Sequence, residues 1–289
     1  MIYFFIGVES ALSEWMKNIS PDPYKGLKEE NWWWPERLPA DSELESNQDL
    51  LSKDQRKRFL NDGFIVVDDL WPSGLIDQAT AETRELFPEE KVAARSLADE
   101  RYRPFSSMPW IHRGEQSADL AINHMSIHPR AVKAASELLQ IDVTELRLYQ
   151  DHLIAKFGRA AEPDGADSIA AILGDQDIHV DYGNNTLLVP PRGAGPEAVA
   201  CLCYYSDVED AGGATHFARA QPGELTKYSA STFNPPNFVF GTENGSAVSS
   251  KGLRSGKRTD QRYREEKPIR YRQGTCVLYR LDAWHRGTP

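Results

Sequence analysis

The spacing of apolar and polar residues is helical in the first half of the chain. Helices are predicted over residues 53–61, 75–86 and 118–140, with one short strand at 64–67. Ser52 and Gln55 have the spacing of a capping box before the first helix, and Gly63 is placed to end it. Pro129, directly after His128, suits the first turn of a new helix within the third region.

From residue 146 onwards the pattern changes to a period of two, which is typical of strands. In the first of these strands, Gln150, His152 and Lys156 fall on one face. Five further strand-like runs are predicted, at residues 178–182, 186–189, 199–207, 215–218 and 269–280. Helices followed by short strands predict a mostly β fold with flanking helices, in which a jelly roll or β-barrel carries the helices on one side.

The chain is predicted to consist of an N-terminal arm, residues 1–50, and a single domain, residues 51–289. The arm lacks a sustained period and contains Trp32-Trp33-Trp34, which we expect to act as packing anchors. The domain divides into a helical layer at 51–140 and a β part at 141–289. A polar insertion at 221–262 interrupts the β part, and a loop of that length is typically functional or disordered.

The polar insertion and the residues after it carry a basic run in an otherwise acidic protein: Lys251, Arg254, Lys257, Arg258, Arg262 and Arg264. One interpretation is a solvated, partly disordered loop. The other is a lid over the barrel mouth that attracts an anionic substrate or co-substrate.

Composition narrows the function classes. The 289 residues are 40% hydrophobic, which suffices for one sizeable core, and the net charge of −10 argues against nucleic acid as a partner. The apolar opening at residues 1–8 has no basic start and is too short to span a bilayer, so we expect no membrane partner and a cytoplasmic location. Cys201, Cys203 and Cys276 are expected to be buried free thiols, since a zinc site would need a fourth ligand.

The candidate chemistry lies in His179-Val180-Asp181 and in His285. On a strand, His179 and Asp181 project from the same face. His285 follows a second apolar strand and is placed to complete two histidines and one carboxylate on one side of a metal ion. That arrangement, with the opposite side open, is the facial triad of non-haem Fe(II) oxygenases. The alternative is that His179 and Asp181 form an ordinary hydrogen-bonded pair at a barrel mouth.

Four segments of the chain, in order, resemble the phytanoyl-CoA dioxygenase-like family. They are residues 59–70, 177–183, 212–217 and 274–287. The resemblance implies an oxygenase domain with a double-stranded β-helix (a cupin-like jelly roll) at 141–289, and an enzyme that uses Fe(II), 2-oxoglutarate and O2 to hydroxylate a small molecule. It also implies that His179, Asp181 and His285 bind the metal, and that Gln150 and Lys156 contact 2-oxoglutarate. Asp181 favours hydroxylation over halogenation, because related halogenases lack this carboxylate.

The chain departs from this family near its end. Relatives hold the distal carboxylate of 2-oxoglutarate with an arginine about ten residues beyond the second histidine, and Gly287 replaces a common serine or threonine. Because the sequence ends four residues after His285, that arginine and the last strand are expected to be missing through truncation, so that residues 274–281 border an unpaired edge. If the chain were instead complete, Lys156 would become the first candidate anchor. Two other functions stay open: a cupin-type metal protein without 2-oxoglutarate, and a catalytically inactive metal-binding relative.

Overall fold

The computed structural model describes residues 2–9, 26–45, 48–86, 105–109, 120–156, 178, 180–181, 196–220 and 257–288. The strands are β1 Ile2–Glu9, β2 Glu36–Arg37, β3 Phe64–Asp68, β4 Phe105–Pro109, β5 Leu148–Lys156, β6 Val199–Tyr204, β7 His216–Ala218, β8 Lys267–Pro268, β9 Cys276–Arg280 and β10 Trp284–Arg286. The α-helices are α1 Lys53–Asp62, α2 Ser73–Leu86, α3 Ala121–Ser126, α4 Pro129–Leu139, α5 Val208–Ala211 and α6 Lys257–Glu265. Among these residues, no helix is long and apolar enough to cross a membrane.

Helices α1 to α4 form where local signals predicted them, whereas α5 and α6 were not predicted. The Ser52 hydroxyl accepts the amide of Gln55 at 3.1 Å, and the Gln55 side chain accepts the amide of Ser52 at 2.8 Å, which closes the capping box. Gly63 ends α1 with a φ of 95°, a left-handed conformation that glycine adopts without strain. The third region divides into α3 and α4, and α4 begins at Pro129 as predicted.

The strands form a seven-stranded mixed sheet, in the order β2-β3-β9-β6-β1-β5-β4, and a three-stranded antiparallel sheet, in the order β10-β7-β8. Strand β1 lies inside the large sheet, parallel to β5 and β6. This strand was not predicted from the sequence, although its run Ile2-Tyr-Phe-Phe-Ile6 has the continuous apolar character of strands in parallel sheets.

Two hydrophobic clusters lie on opposite faces of the large sheet. One joins β3, β6 and β9 to α1, α2, α3 and α4, through residues such as Phe59 and Leu278. The other lies between the two sheets and includes Phe64, Phe217 and Tyr279. The predicted combination of β structure with helices on one side is therefore present, and the double-stranded β-helix stays a prediction.

Two predictions about the strands were wrong. Strand β9 is paired on both sides, with β3 and with β6, so residues 274–281 do not border an unpaired edge. Residues 178, 180 and 181, the described part of the predicted strand at 178–182, are not in a strand. Their described backbone contact to β9 is a single bond, from the amide of Asp181 to the carbonyl of Leu281 just beyond that strand, at 2.8 Å. The predicted strand at 186–189 lies outside the described residues.

Two of the three consecutive tryptophans, residues 32–34, are packing anchors. Trp32 is buried, and the indole N–H of the half-buried Trp33 donates to the Phe217 carbonyl at 2.9 Å. Trp34 is half exposed, and its indole N–H donates to the nearby Glu29 carbonyl. The expected anchoring role therefore holds for Trp32 and Trp33.

The three cysteines are free and buried, as predicted, and lie on β6 and β9. Burial raises the pKa of the Cys203 and Cys276 thiols well above the usual range. Since the thiolate is the reactive form, native protein at about pH 8 should react with an aromatic disulfide reagent at least roughly tenfold more slowly than protein unfolded in guanidinium. In the unfolded control all three thiols should react with the reagent. Rapid modification of the native protein would contradict the burial.

Candidate metal centre

Asp181 and His285 lie side by side between the two sheets. Both are buried, and the His285 Nε2 atom is 3.6 Å from the Asp181 Oδ1 atom. The turn that joins β9 to β10 positions both residues: Leu281 accepts the amide of Asp181, and His285 follows on β10. Residues distant in sequence are thus held against one short turn.

The imidazole of His285 is oriented through its Nδ1 nitrogen. Its Nδ1 atom is 3.0 Å from the Ala283 carbonyl, and a carbonyl only accepts, so we assign the ring proton of neutral His285 to Nδ1. The Nε2 lone pair then faces Asp181. The ring of Phe217, the residue paired with His285 across β7 and β10, stacks on the imidazole with centroids 5.2 Å apart. This tautomer is the one that a metal-binding histidine needs.

The two carboxylate oxygens of Asp181 have different surroundings. Tyr279 on β9 donates its hydroxyl to Oδ2 at 2.9 Å, and Oδ1 is the oxygen nearest to His285. The separation of 3.6 Å between Nε2 and Oδ1 exceeds the hydrogen-bond range of about 2.7–3.2 Å. Adjacent ligands of a facial triad, each roughly 2.1 Å from the metal and at a right angle, lie about 3.0 Å apart, so the two atoms are near the separation that a shared ion requires.

The structure brings together two of the three predicted ligands. His179 lies outside the described residues, so neither its proposed metal bond nor its alternative pairing with Asp181 is tested. Among the described residues, no group of three or more His, Cys, Asp and Glu side chains could hold a metal. The third ligand of a facial triad therefore has to come from outside the described residues, and His179 is the predicted one.

The residues on either side of position 179 are fixed in place. The amide of Ile178 donates to the Tyr263 hydroxyl of α6 at 3.0 Å. The side chains of Ile178 and Val180 pack with Trp284 and Ala218 in a small buried cluster of their own. The helix that contributes Tyr263 thus supports the segment that carries Asp181.

The arginines beside the site are engaged elsewhere. Arg286 donates to both carboxylate oxygens of Glu266, at 2.9 and 3.0 Å. Arg280 is buried and donates to both carboxylate oxygens of Asp282, at 2.9 and 2.8 Å. Arg262, one of the basic residues assigned to a possible lid, is also buried and donates to the Arg219 carbonyl at 2.8 Å. Residues 221–256 of that insertion lie outside the described residues.

Gln150 and Lys156 are placed by the backbone of β5. This strand lies between β1 and β4, so Lys156 is not on an edge strand. The register pairs Gln150 with Tyr3, Tyr3 with Ala200, and Ala200 with Tyr279. Residues directly opposite one another share a face, so position 150 belongs to the same face of the sheet as Tyr279. Strand β5 is three strand spacings from β9, which is about 14 Å.

Comparison with known proteins finds solved structures only: no family matches the chain, and no curated protein matches it. SnoN, a non-haem alpha-ketoglutarate-dependent epimerase from nogalamycin biosynthesis, is 18% identical, with 82% of this chain and 76% of SnoN covered and a TM-score of 0.46. HygX from Streptomyces hygroscopicus is 16% identical, with 82% and 80% covered and a TM-score of 0.40. AviO1 from Streptomyces viridochromogenes Tue57 is 14% identical, with 84% and 90% covered and a TM-score of 0.39. One structure of SnoN contains Fe3+ and alpha-ketoglutarate, and the structure of HygX contains nickel and 2-oxoglutarate.

Proposed function

We propose that this chain is an Fe(II)- and 2-oxoglutarate-dependent dioxygenase that uses O2 to hydroxylate a small molecule. The observation that carries the proposal is the pair of Asp181 and His285. Both are buried, their facing atoms are 3.6 Å apart, and each side chain is oriented by a second hydrogen bond. Resemblance to the phytanoyl-CoA dioxygenase-like family supports the same ligand set, completed by His179, on a double-stranded β-helix.

The proposed ligands divide the work of holding Fe(II). Asp181 supplies one oxygen and the negative charge, and His179 and His285 supply neutral nitrogens. When bound, the ion together with 2-oxoglutarate and O2 supplies the oxidising chemistry. The protein supplies geometry and a site shielded from water, since Phe217 and Tyr279 lie against His285 on the side of the large sheet.

Gln150 and Lys156 are proposed to contact 2-oxoglutarate. Their positions share a face with Tyr279 by register and by the period of two. The separation of three strands suits a co-substrate that chelates the metal at one end and contacts Lys156 at the other. The described arginines nearest the metal site, Arg280 and Arg286, already pair with carboxylates, which leaves Lys156 as the candidate for the distal carboxylate.

The test is the release of succinate from 2-oxoglutarate in the presence of Fe(II) and O2. Lys156→Met should raise KM for 2-oxoglutarate about 10- to 100-fold, the effect of losing a charge-assisted hydrogen bond, and should change kcat less. Lys133→Met is the matched control, because Lys133 is on α4 and donates to the Gln48 carbonyl. An unchanged KM in Lys156→Met would exclude Lys156 as the anchor.

The same assay separates the alternatives. A cupin-type metal protein would bind metal and turn over substrate without consuming 2-oxoglutarate. A catalytically inactive relative would bind metal and release no succinate with any co-substrate. Either result would refute the proposed dioxygenase activity.

A further inference from the structure

Tyr279 is the residue outside the predicted ligand set that touches a candidate ligand most directly. It lies near the C-terminal end of β9, paired with Phe64 on one side and Ala200 on the other. Its side chain is 2% exposed, and its hydroxyl donates to Asp181 Oδ2 at 2.9 Å. Nothing in the sequence motif for the metal site refers to this tyrosine.

The ring of Tyr279 has little freedom to move. Its centroid is 5.3 Å from that of Phe217 in an edge-to-face contact, and 5.0 Å from that of His285. Phe217 also packs on Phe64, with centroids 4.8 Å apart. Because a close-packed interior resists displacement, these contacts fix the position of the hydroxyl.

A fixed donor on one oxygen limits how Asp181 can bind an ion. Oδ2 accepts the phenol, and Oδ1 faces Nε2 of His285. We propose that Tyr279 is a positioning residue that holds Asp181 as a single-oxygen metal ligand and thereby keeps a coordination position open for the co-substrate. This inference rests on the proposed function, because it presumes that Asp181 binds the metal.

A phenol suits this role on chemical grounds. A buried carboxylate needs hydrogen-bond donors, since its burial without a partner is costly. The tyrosine hydroxyl is such a donor, and it points at one oxygen of the carboxylate. Without the phenol, Oδ2 would lose the donor that competes with the ion for it. A two-oxygen binding mode would then be favoured, and it would occupy the open position.

The test is a metal titration of Tyr279→Phe, which keeps the ring and removes only the hydroxyl. The probes are Mn(II), followed by calorimetry, and Co(II), followed by visible absorption; neither requires turnover. Loss of an outer-shell partner should raise the metal Kd roughly 10- to 100-fold. The Co(II) absorption spectrum should change to that of an ion with a higher coordination number. A purely structural role of Tyr279 would not produce this change.

Tyr271→Phe is the matched control. Tyr271 is equally buried in the cluster between the two sheets, but its hydroxyl donates to the Gly212 carbonyl. This variant should keep the wild-type Kd and spectrum. Equal metal affinities and spectra in the two variants would overturn the positioning role, whereas failure of the wild-type protein to bind either metal would overturn the proposed function and the inference with it.

A second variant covers the case in which Tyr279→Phe unfolds more easily than Tyr271→Phe. Phe64→Leu disturbs the packing beside Tyr279 and leaves the hydroxyl in place. Wild-type affinity in Phe64→Leu would assign the effect to the hydrogen bond. An equal loss of affinity would assign it to packing and refute the proposal.

Discussion

Replacing Asp181 or His285 with alanine is expected to weaken Fe(II) binding and to abolish hydroxylation. Without Asp181, the proposed triad would hold a divalent cation with two neutral imidazoles and no charge. Without His285, the carboxylate would lose the nitrogen that lies 3.6 Å from it. We expect each change to weaken metal binding by more than the roughly 10- to 100-fold that follows from losing an outer-shell partner.

The measurements are Mn(II) calorimetry and succinate release, with His216→Ala as the matched control. His216 lies on β7, and its Nδ1 atom is 3.0 Å from the carbonyl two residues before it, as in His285. His216 lies outside the proposed ligand set. His216→Ala should therefore keep metal binding, and unchanged turnover in Asp181→Ala would refute the ligand set.

His179→Ala should behave as His285→Ala does, although His179 lies outside the described residues. The two histidines have equivalent roles in a facial triad. If only one of the two variants loses metal, the proposed geometry is wrong. This comparison therefore tests the part of the site that rests on the sequence motif alone.

The helical half of the fold was predictable because its signals are local. A capping box needs only Ser52 and Gln55, three residues apart, and a helix end needs only Gly63. Pro129 marked the start of α4 within a longer helical pattern for the same reason. Each of these features follows from the conformational preferences of a few neighbouring residues.

The strand pairings were not predictable in the same way. The continuous apolar run at the start of the chain does not reveal that β1 pairs with both β5 and β6. An apolar run after Gly274 looked like the border of a gap, yet β9 lies between β3 and β6. Pairing depends on partners far away in the sequence, and a single sequence does not specify them.

The residues of the candidate site show the same difference between local signals and long-range contacts. Asp181 and His285 were proposed from residue type, spacing and family resemblance. Tyr279 was missed because its contact with Asp181 joins residues 98 positions apart. The available signal was general: a tyrosine in an otherwise apolar strand is usually buried, and its hydroxyl then requires a partner.

Arg130 shows how a residue can be central to stability without any sequence signal. It is the second residue of α4, where a charged side chain ordinarily faces solvent, and yet it is buried. Its guanidinium donates to the carbonyls of Leu70, Pro39 and Asp69, at 3.0, 2.6 and 2.9 Å, and to the Asp41 carboxylate at 2.7 Å. These contacts hold α4 against residues 39–41, which precede α1, and residues 69–70, which follow β3.

Arg130→Ala is expected to lower the free energy of unfolding by about 3–5 kcal/mol, because an unsatisfied buried polar group costs about 1–3 kcal/mol and this change leaves three carbonyls without their donor. Urea unfolding followed by circular dichroism measures the effect. Arg37→Ala is the control: its exposed guanidinium pairs with Asp69 at 3.2 Å, and such surface pairs contribute about 0–1 kcal/mol. Similar losses in the two variants would show that burial of Arg130 adds nothing, which would contradict this account of how α4 is held.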